Sequence, residues 1–256
     1  MKIQILGAHN CESQKTKLVT LLIDDVLAID AGALTSSLSF KAQQKIKAIL
    51  LTHQHYDHIR DIPALGMNAL LQETTISVYS TRAVRDALAT YLLNGEIYSK
   101  FLEKPEGNPI IKFTVVEPNK VTQVEGYSVL TVPVNHSVPT VGYQITSPDG
   151  KTFFYTGDTG PGLADCWQYV SPQILVTEVT APDRYEESAR ELLHLTPNLL
   201  KQELDRFQEI KGYLPQVWLV HMNPAQEKEI ETEIAALAKS LNYPVRLARE
   251  GMTLNL

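Results

Sequence analysis

The chain has 256 residues, with 23 lysines and arginines against 29 aspartates and glutamates, a net charge of −6 and 44% hydrophobic residues. This length and apolar content suffice for a sizeable core and exclude intrinsic disorder. The acidic balance argues against a nucleic-acid binder that works through bulk positive charge.

The amino terminus lacks the longer apolar stretch and cleavage site of a signal peptide, and reads as a strand, Lys2–Gly7. Strands at 17–23 and 26–30 follow, joined by a tight turn at Asp24-Asp25. These two carboxylates interrupt the longest apolar run, so no segment reaches the ~18 residues of a membrane-crossing helix. Residues 46–52, IKAILLT, form a nearly continuous apolar run, as expected of a strand covered on both faces. A helix is predicted over 61–72, with Pro63 in its first turn. Thr81 caps another, carrying Val84, Leu88 and Leu92 and ended by Gly95. The irregular segment 94–118 contains one strand, at 110–116. Strands return at 121–132, Val141–Thr146, 152–156 and 173–178. Thr196 and Pro197 open a helix with Leu200, Leu204, Phe207 and Ile210 on one face, closed by Gly212. A strand at 217–220, a helix carrying Ile230, Ile234, Leu237 and Leu241, and a strand at 245–248 complete the chain. No linker divides it. The expectation is an α/β single domain over 1–256, with sheets inside and helices outside. Cys11 and Cys166 are too few for a disulfide framework and are expected as small buried residues in a reduced, cytoplasmic protein.

Three of the seven histidines fall in THQHYDHIRD, directly after the buried strand at 46–52. In extended backbone His53, His55 and Asp57 point one way, while His58 diverges from Asp57 and can serve another centre. Zinc and similar metals take imidazole nitrogen together with carboxylate oxygen, and one ion needs about four ligands. The cluster must therefore recruit from elsewhere. His136, Asp158 and His221 each lie just past a strand, and their convergence on one sheet edge would make a binuclear site.

HxHxDH, here His53, His55, Asp57 and His58, resembles the signature of the metallo-β-lactamase superfamily. The resemblance extends over nearly the whole chain. It implies a four-layer αββα sandwich of two mixed sheets with helices outside. By motif, His53, His55 and His136 would hold one metal and Asp57, His58 and His221 the other, with Asp158 bridging. NHSVPTVGYQI, TGDTG and VHMNP resemble the phosphodiesterase branch, which includes tRNA 3′-processing endonucleases and class II cyclic-nucleotide phosphodiesterases. Glu178 followed by His194-Leu195-Thr196-Pro197 is similar to the latter group, except that Leu193 replaces the usual glycine.

The resemblance implies a hydrolase with two divalent ions, zinc foremost and manganese or iron as alternatives. Two such ions against two carboxylates and one hydroxide leave a net positive site, which favours a small phosphodiester such as a cyclic nucleotide. A metal-bound hydroxide would attack phosphorus in line. Candidate catalytic residues are Asp57 and His194, the latter as proton donor or phosphate contact, with Glu178 orienting it. His9 reads as a hydrogen-bonding residue. A tRNA 3′-processing-type endonuclease is one alternative. It would need a basic arm, whereas 94–118 sets Lys100, Lys104 and Lys112 against Glu96, Glu103, Glu106 and Glu117. A lactone or thioester hydrolase is the other. The partner expected is a small-molecule substrate, with no membrane or nucleic acid, and a homodimer is the default assembly.

Overall fold

The computed structural model describes residues 1–256. Strands β1 (Lys2–Gly7), β2 (Thr20–Ile23), β3 (Leu27–Ile29), β4 (Ala48–Leu50), β5 (Ile76–Ser80) and β6 (Ile111–Val115) lie side by side in one sheet. Strands β7 (Val121–Val124), β8 (Tyr127–Pro133), β9 (Val141–Thr146), β10 (Thr152–Tyr155), β11 (Ile174–Glu178), β12 (Gln216–Val220) and β13 (Val245–Leu247) form the second. The last strand, β14 (Thr253–Asn255), returns to pair antiparallel with β1, so each sheet has seven strands. The helices are α1 (Leu34–Ser37), α2 (Phe40–Gln43), α3 (Tyr56–Ile59), α4 (Ile62–Leu71), α5 (Arg82–Ala87), α6 (Ala164–Tyr169), α7 (Glu186–Leu192), α8 (Pro197–Lys211) and α9 (Glu227–Leu241).

Alternation along β4 divides the core. Ala48 and Leu50 join the cluster between the sheets, while Ile49 and Leu51 join the one beneath α4 and α5. Both neighbours of β4 run parallel to it, and β4 itself is wholly buried. That double coverage is why IKAILLT is apolar almost throughout. On the other side, Trp167 of α6 meets Phe207 of α8 edge-on, with ring centroids 5.2 Å apart, and packs against Phe154 of β10. The layers are therefore helix, sheet, sheet, helix, as the resemblance implied. No helix is long and apolar enough to cross a membrane.

Strand direction positions the site. β9 is antiparallel to both β8 and β10, so those two point the same way. β11 and β12 continue parallel to β10. The carboxyl ends of β8, β10, β11 and β12 therefore share one edge of the second sheet.

Several expectations are corrected. The strand expected at 121–132 is two strands, because Glu125 and Gly126 take positive φ (49° and 85°) and turn the chain into a hairpin. The helix capped by Thr81 ends in a π turn, Leu88–Leu92, closed by Leu93 N–H donating to the Leu88 carbonyl at 2.7 Å. The wider turn buries Leu93 rather than Leu92. Helices α1, α2, α3, α6 and α7 and strand β14 were not anticipated; all are of seven residues or fewer, too short to show a period. Cys166 is buried as expected, but Cys11 is exposed on the loop after β1. Asp24 and Asp25 do form the tight turn, both at positive φ (46° and 63°), as a type I′ turn requires.

Candidate metal centre

Each ligand-type side chain sits just past a strand, where the backbone leaves the sheet. His53 and His55 follow β4, and His55 is the N-cap of α3. The helical turn corrects the expected parity. Asp57 does not continue an extended run, and its side chain converges with that of His58 instead of diverging, with Asp57 Oδ2 3.4 Å from His58 Nε2. His136 follows β8, Asp158 follows β10 and His221 follows β12. Gly157 takes φ +67° in the TGDTG loop, and a Cβ there would come within 2.9 Å of the Thr52 side chain. Glycine is what lets this loop carry Asp158 past Thr52.

The structure brings seven of these residues into two quartets with a shared member. The donor atoms of His53, His55, His136 and Asp158 lie within 4.8 Å of one another, and so do those of Asp57, His58, Asp158 and His221. Asp158 Oδ2 stands 3.8 Å from His53 Nε2, 3.3 Å from His58 Nε2 and 3.1 Å from His221 Nε2. His53 Nε2, His58 Nε2 and Asp158 Oδ1 are buried with no hydrogen-bond partner. Buried polar atoms left unpaired are costly, so their concentration here marks a place built for a cation. The protonation states agree. Burial first, then neighbouring imidazoles, lowers His53 and His55 from the ordinary histidine range. Burial lowers His136 as well. Burial works against ionisation of Asp57 and Asp158, but the facing histidines outweigh it and hold both below the usual carboxylate range. Burial disfavours a charged His58, yet Asp158 and Asp30 outweigh it and raise His58 well above its usual value. Neutral imidazoles and ionised carboxylates are the forms that bind divalent metal, and a bound cation would drive the His58 proton off.

Outer partners fix the rings. His58 Nδ1 lies 2.7 Å from Asp30 Oδ2, and His53 Nδ1 lies 3.0 Å from Thr52 Oγ1, which itself bonds Asp30. His136 Nδ1 donates to the Leu193 carbonyl at 3.0 Å. His221 Nδ1 lies 2.8 Å from Thr180 Oγ1. Each of these rings thus presents Nε2 to the centre. Asp30, Thr52 and Thr180 escaped the sequence reading. A signal for Asp30 exists: it is a lone carboxylate closing the apolar run VLAI. Asp30, Leu193 and His221 all hold left-handed backbone (φ 58°, 57° and 64°) around this centre. Such conformations cost non-glycine residues about 1–3 kcal/mol and persist where surroundings impose them. Asp30→Asn should weaken metal binding about 10- to 100-fold. A chelator competition titration checks this, and unchanged affinity would leave Asp30 a purely structural residue.

His194 is brought to the same place. Its donor atom, with those of Asp158, Glu178 and His221, forms a third group within 4.8 Å. Glu178 is fully buried at the end of β11, and its oxygens take four hydrogen bonds, from Thr159 N, Leu195 N, Thr180 Oγ1 and His194 Nδ1. A carboxylate so occupied serves as an anchor for His194 rather than as a metal ligand. Burial disfavours the His194 imidazolium, but the Glu178 carboxylate at 2.8 Å outweighs it and raises His194 to about 9. His9 is buried and belongs to none of these groups, with Nδ1 2.7 Å from Glu250 Oε1, which is the hydrogen-bonding role expected of it. Above the quartets a cavity of about 550 Å³ is lined by Asp57, Asp158, His194, His221, Tyr56 and Arg60, among others.

A 3′,5′-cyclic-nucleotide phosphodiesterase of Aliivibrio fischeri is 24% identical over 207 residues, covering 73% of this chain and 61% of that protein. A ribonuclease Z of Methanocaldococcus jannaschii is 22% identical over 205 residues, covering 59% and 63%. The chain thus spans less than two thirds of either relative's length. Unliganded yeast PDE1 superposes with a TM-score of 0.85 at 18% identity, covering 100% of this chain and 99% of that one. The short form of human tRNase Z gives 0.71 at 17%, covering 100% and 99%. These two likenesses show a shared fold. The model of the Beta-lactamase superfamily domain matches residues 20–222, and with the HxHxDH residues inside that span, the chain belongs to this family.

Proposed function

We propose that the chain is a hydrolase holding two divalent metal ions, zinc foremost, and cleaving a small phosphodiester, with a cyclic nucleotide the leading candidate. The observation that carries this reading is the pair of quartets sharing Asp158 with the His194–Glu178 couple beside them, with His55, Asp57, Asp158, His194 and His221 lining one cavity. Ions held there would supply Lewis acidity to phosphate oxygens and make water nucleophilic at neutral pH.

The chain's own residues do the rest. His53, His55, Asp57, His58, His136, Asp158 and His221 hold the ions, and the outer partners keep the rings from turning. His194 is anchored through Nδ1 to Glu178, whose carboxylate favours the protonated imidazole, so its other nitrogen can donate to a leaving oxygen. The names of the A. fischeri and M. jannaschii relatives support phosphodiester chemistry. The overall charge of −6 and the acidic balance of 94–118 favour a small substrate over a long polyanion.

A substrate panel on metal-replete protein tests this. A cyclic nucleotide or generic small phosphodiester should be cleaved faster than a matched lactone or thioester, and faster than pre-tRNA at physiological salt. Preference for the lactone or thioester would hand the site to non-phosphate hydrolysis. Tight pre-tRNA binding with a steep salt dependence would favour the endonuclease reading.

A further inference from the structure

The two residues of HxHxDH that hold no place in the quartets, Gln54 and Tyr56, both line a second hollow of about 430 Å³ beside the metal centre. Along His53-Gln54-His55 the side chains alternate, so Gln54 points away from the quartets. Its Oε1 is buried with no hydrogen-bond partner. The Tyr56 ring is 63% exposed and lines both this hollow and the cavity over the quartets. Ile59, Tyr91 and Leu92 line the hollow as well. Tyr91 is there because of the π turn. In a regular α-helix Tyr91 and Leu92, three and four residues past Leu88, would follow it onto the buried face. The extra residue puts Leu93 in the core and leaves Tyr91 70% exposed. Turns of this kind are frequent at functional sites.

We propose that this hollow binds the nucleobase of the substrate, against the faces of Tyr56 and Tyr91 and with a polar edge toward the Gln54 amide. The inference rests on the phosphodiesterase reading and names the part of the substrate that lies beyond the phosphate. Its volume lies within the ~300–1,000 Å³ of small-molecule sites. Exposed aromatic rings stack on any base, and Gln54, half-buried in the wall of the hollow, can turn its amide toward a base edge. Because Tyr56 borders both spaces, one molecule can keep its phosphate over the quartets and its base in the hollow.

The test compares the unaltered protein, Tyr91→Ala and Tyr91→Phe, all metal-loaded, on cyclic AMP and on ribose 3′,5′-cyclic phosphate, which has no base. Tyr91 is exposed and outside the catalytic residues, so folding should survive. Tyr91→Ala should raise KM for cyclic AMP about tenfold and keep kcat, while Tyr91→Phe restores the original KM. The base-free substrate should be hydrolysed equally by all three. Adenosine binding, read by calorimetry, should weaken about tenfold in Tyr91→Ala alone. Unchanged KM for cyclic AMP in Tyr91→Ala, or equal adenosine affinity in all three proteins, would overturn the subsite. If neither cyclic phosphate is cleaved, the phosphodiesterase reading fails, and the adenosine titration still decides the hollow.

Discussion

Asp158→Ala should lose at least one of two metal ions per chain and lower kcat/KM by about 10³-fold or more. The carboxylate is 2% exposed, lies within 3.8 Å of ring nitrogens from both quartets and is the one carboxylate common to them, Asp57 belonging to the second quartet alone. Losing a Lewis acid removes several kcal/mol of transition-state stabilisation, and each 1.36 kcal/mol is a factor of ten. Asp158→Asn keeps the volume and weakens only the charge, which separates ligation from packing. Elemental analysis with activity on the same sample reads the effect. Full retention of two ions in both variants would remove Asp158 from the bridging position.

His194→Ala should keep both ions and the fold, and lower kcat by about 10²-fold on a substrate with an alkoxide leaving group. The loss should be smaller with a nitrophenolate, which departs without a proton. The pH dependence follows from the sign of the shift. Glu178 raises His194 to about 9, so the acid form is present at neutral pH and is lost as pH rises through that value. Cations at Asp158 would push the value down. The alkaline limb of kcat should therefore lie no higher than about pH 9 and vanish in His194→Ala. Equal losses on both leaving groups would point to phosphate positioning. Loss of an ion would make His194 a ligand in the third group, and unaltered activity would remove it from the reaction.

How far the sequence reading reached depended on the range of the interactions involved. α8 and α9 were legible because each repeats its apolar stripe over fifteen residues. β9 was legible to the residue, and β4 through its unbroken apolar run. α3 was hidden because four residues show no period, and it changes where Asp57 points. The π turn at Leu88–Leu92 was hidden because the heavier packing of Leu93, not local propensity, selects it.

By itself the sequence determined which residue types stand at strand ends and that their chemistry suits divalent metal, because strand periodicity and ligand preference are local properties. Tertiary structure alone decided that β8, β10, β11 and β12 point the same way, that Asp158 sits between two groups of histidines, and that Glu178 grips His194. It also decided that Asp30, 28 residues from His58 in the chain, orients that ring. Such pairings are set by sheet order and by which buried polar atoms must find partners, and those constraints exist only once distant strands have packed.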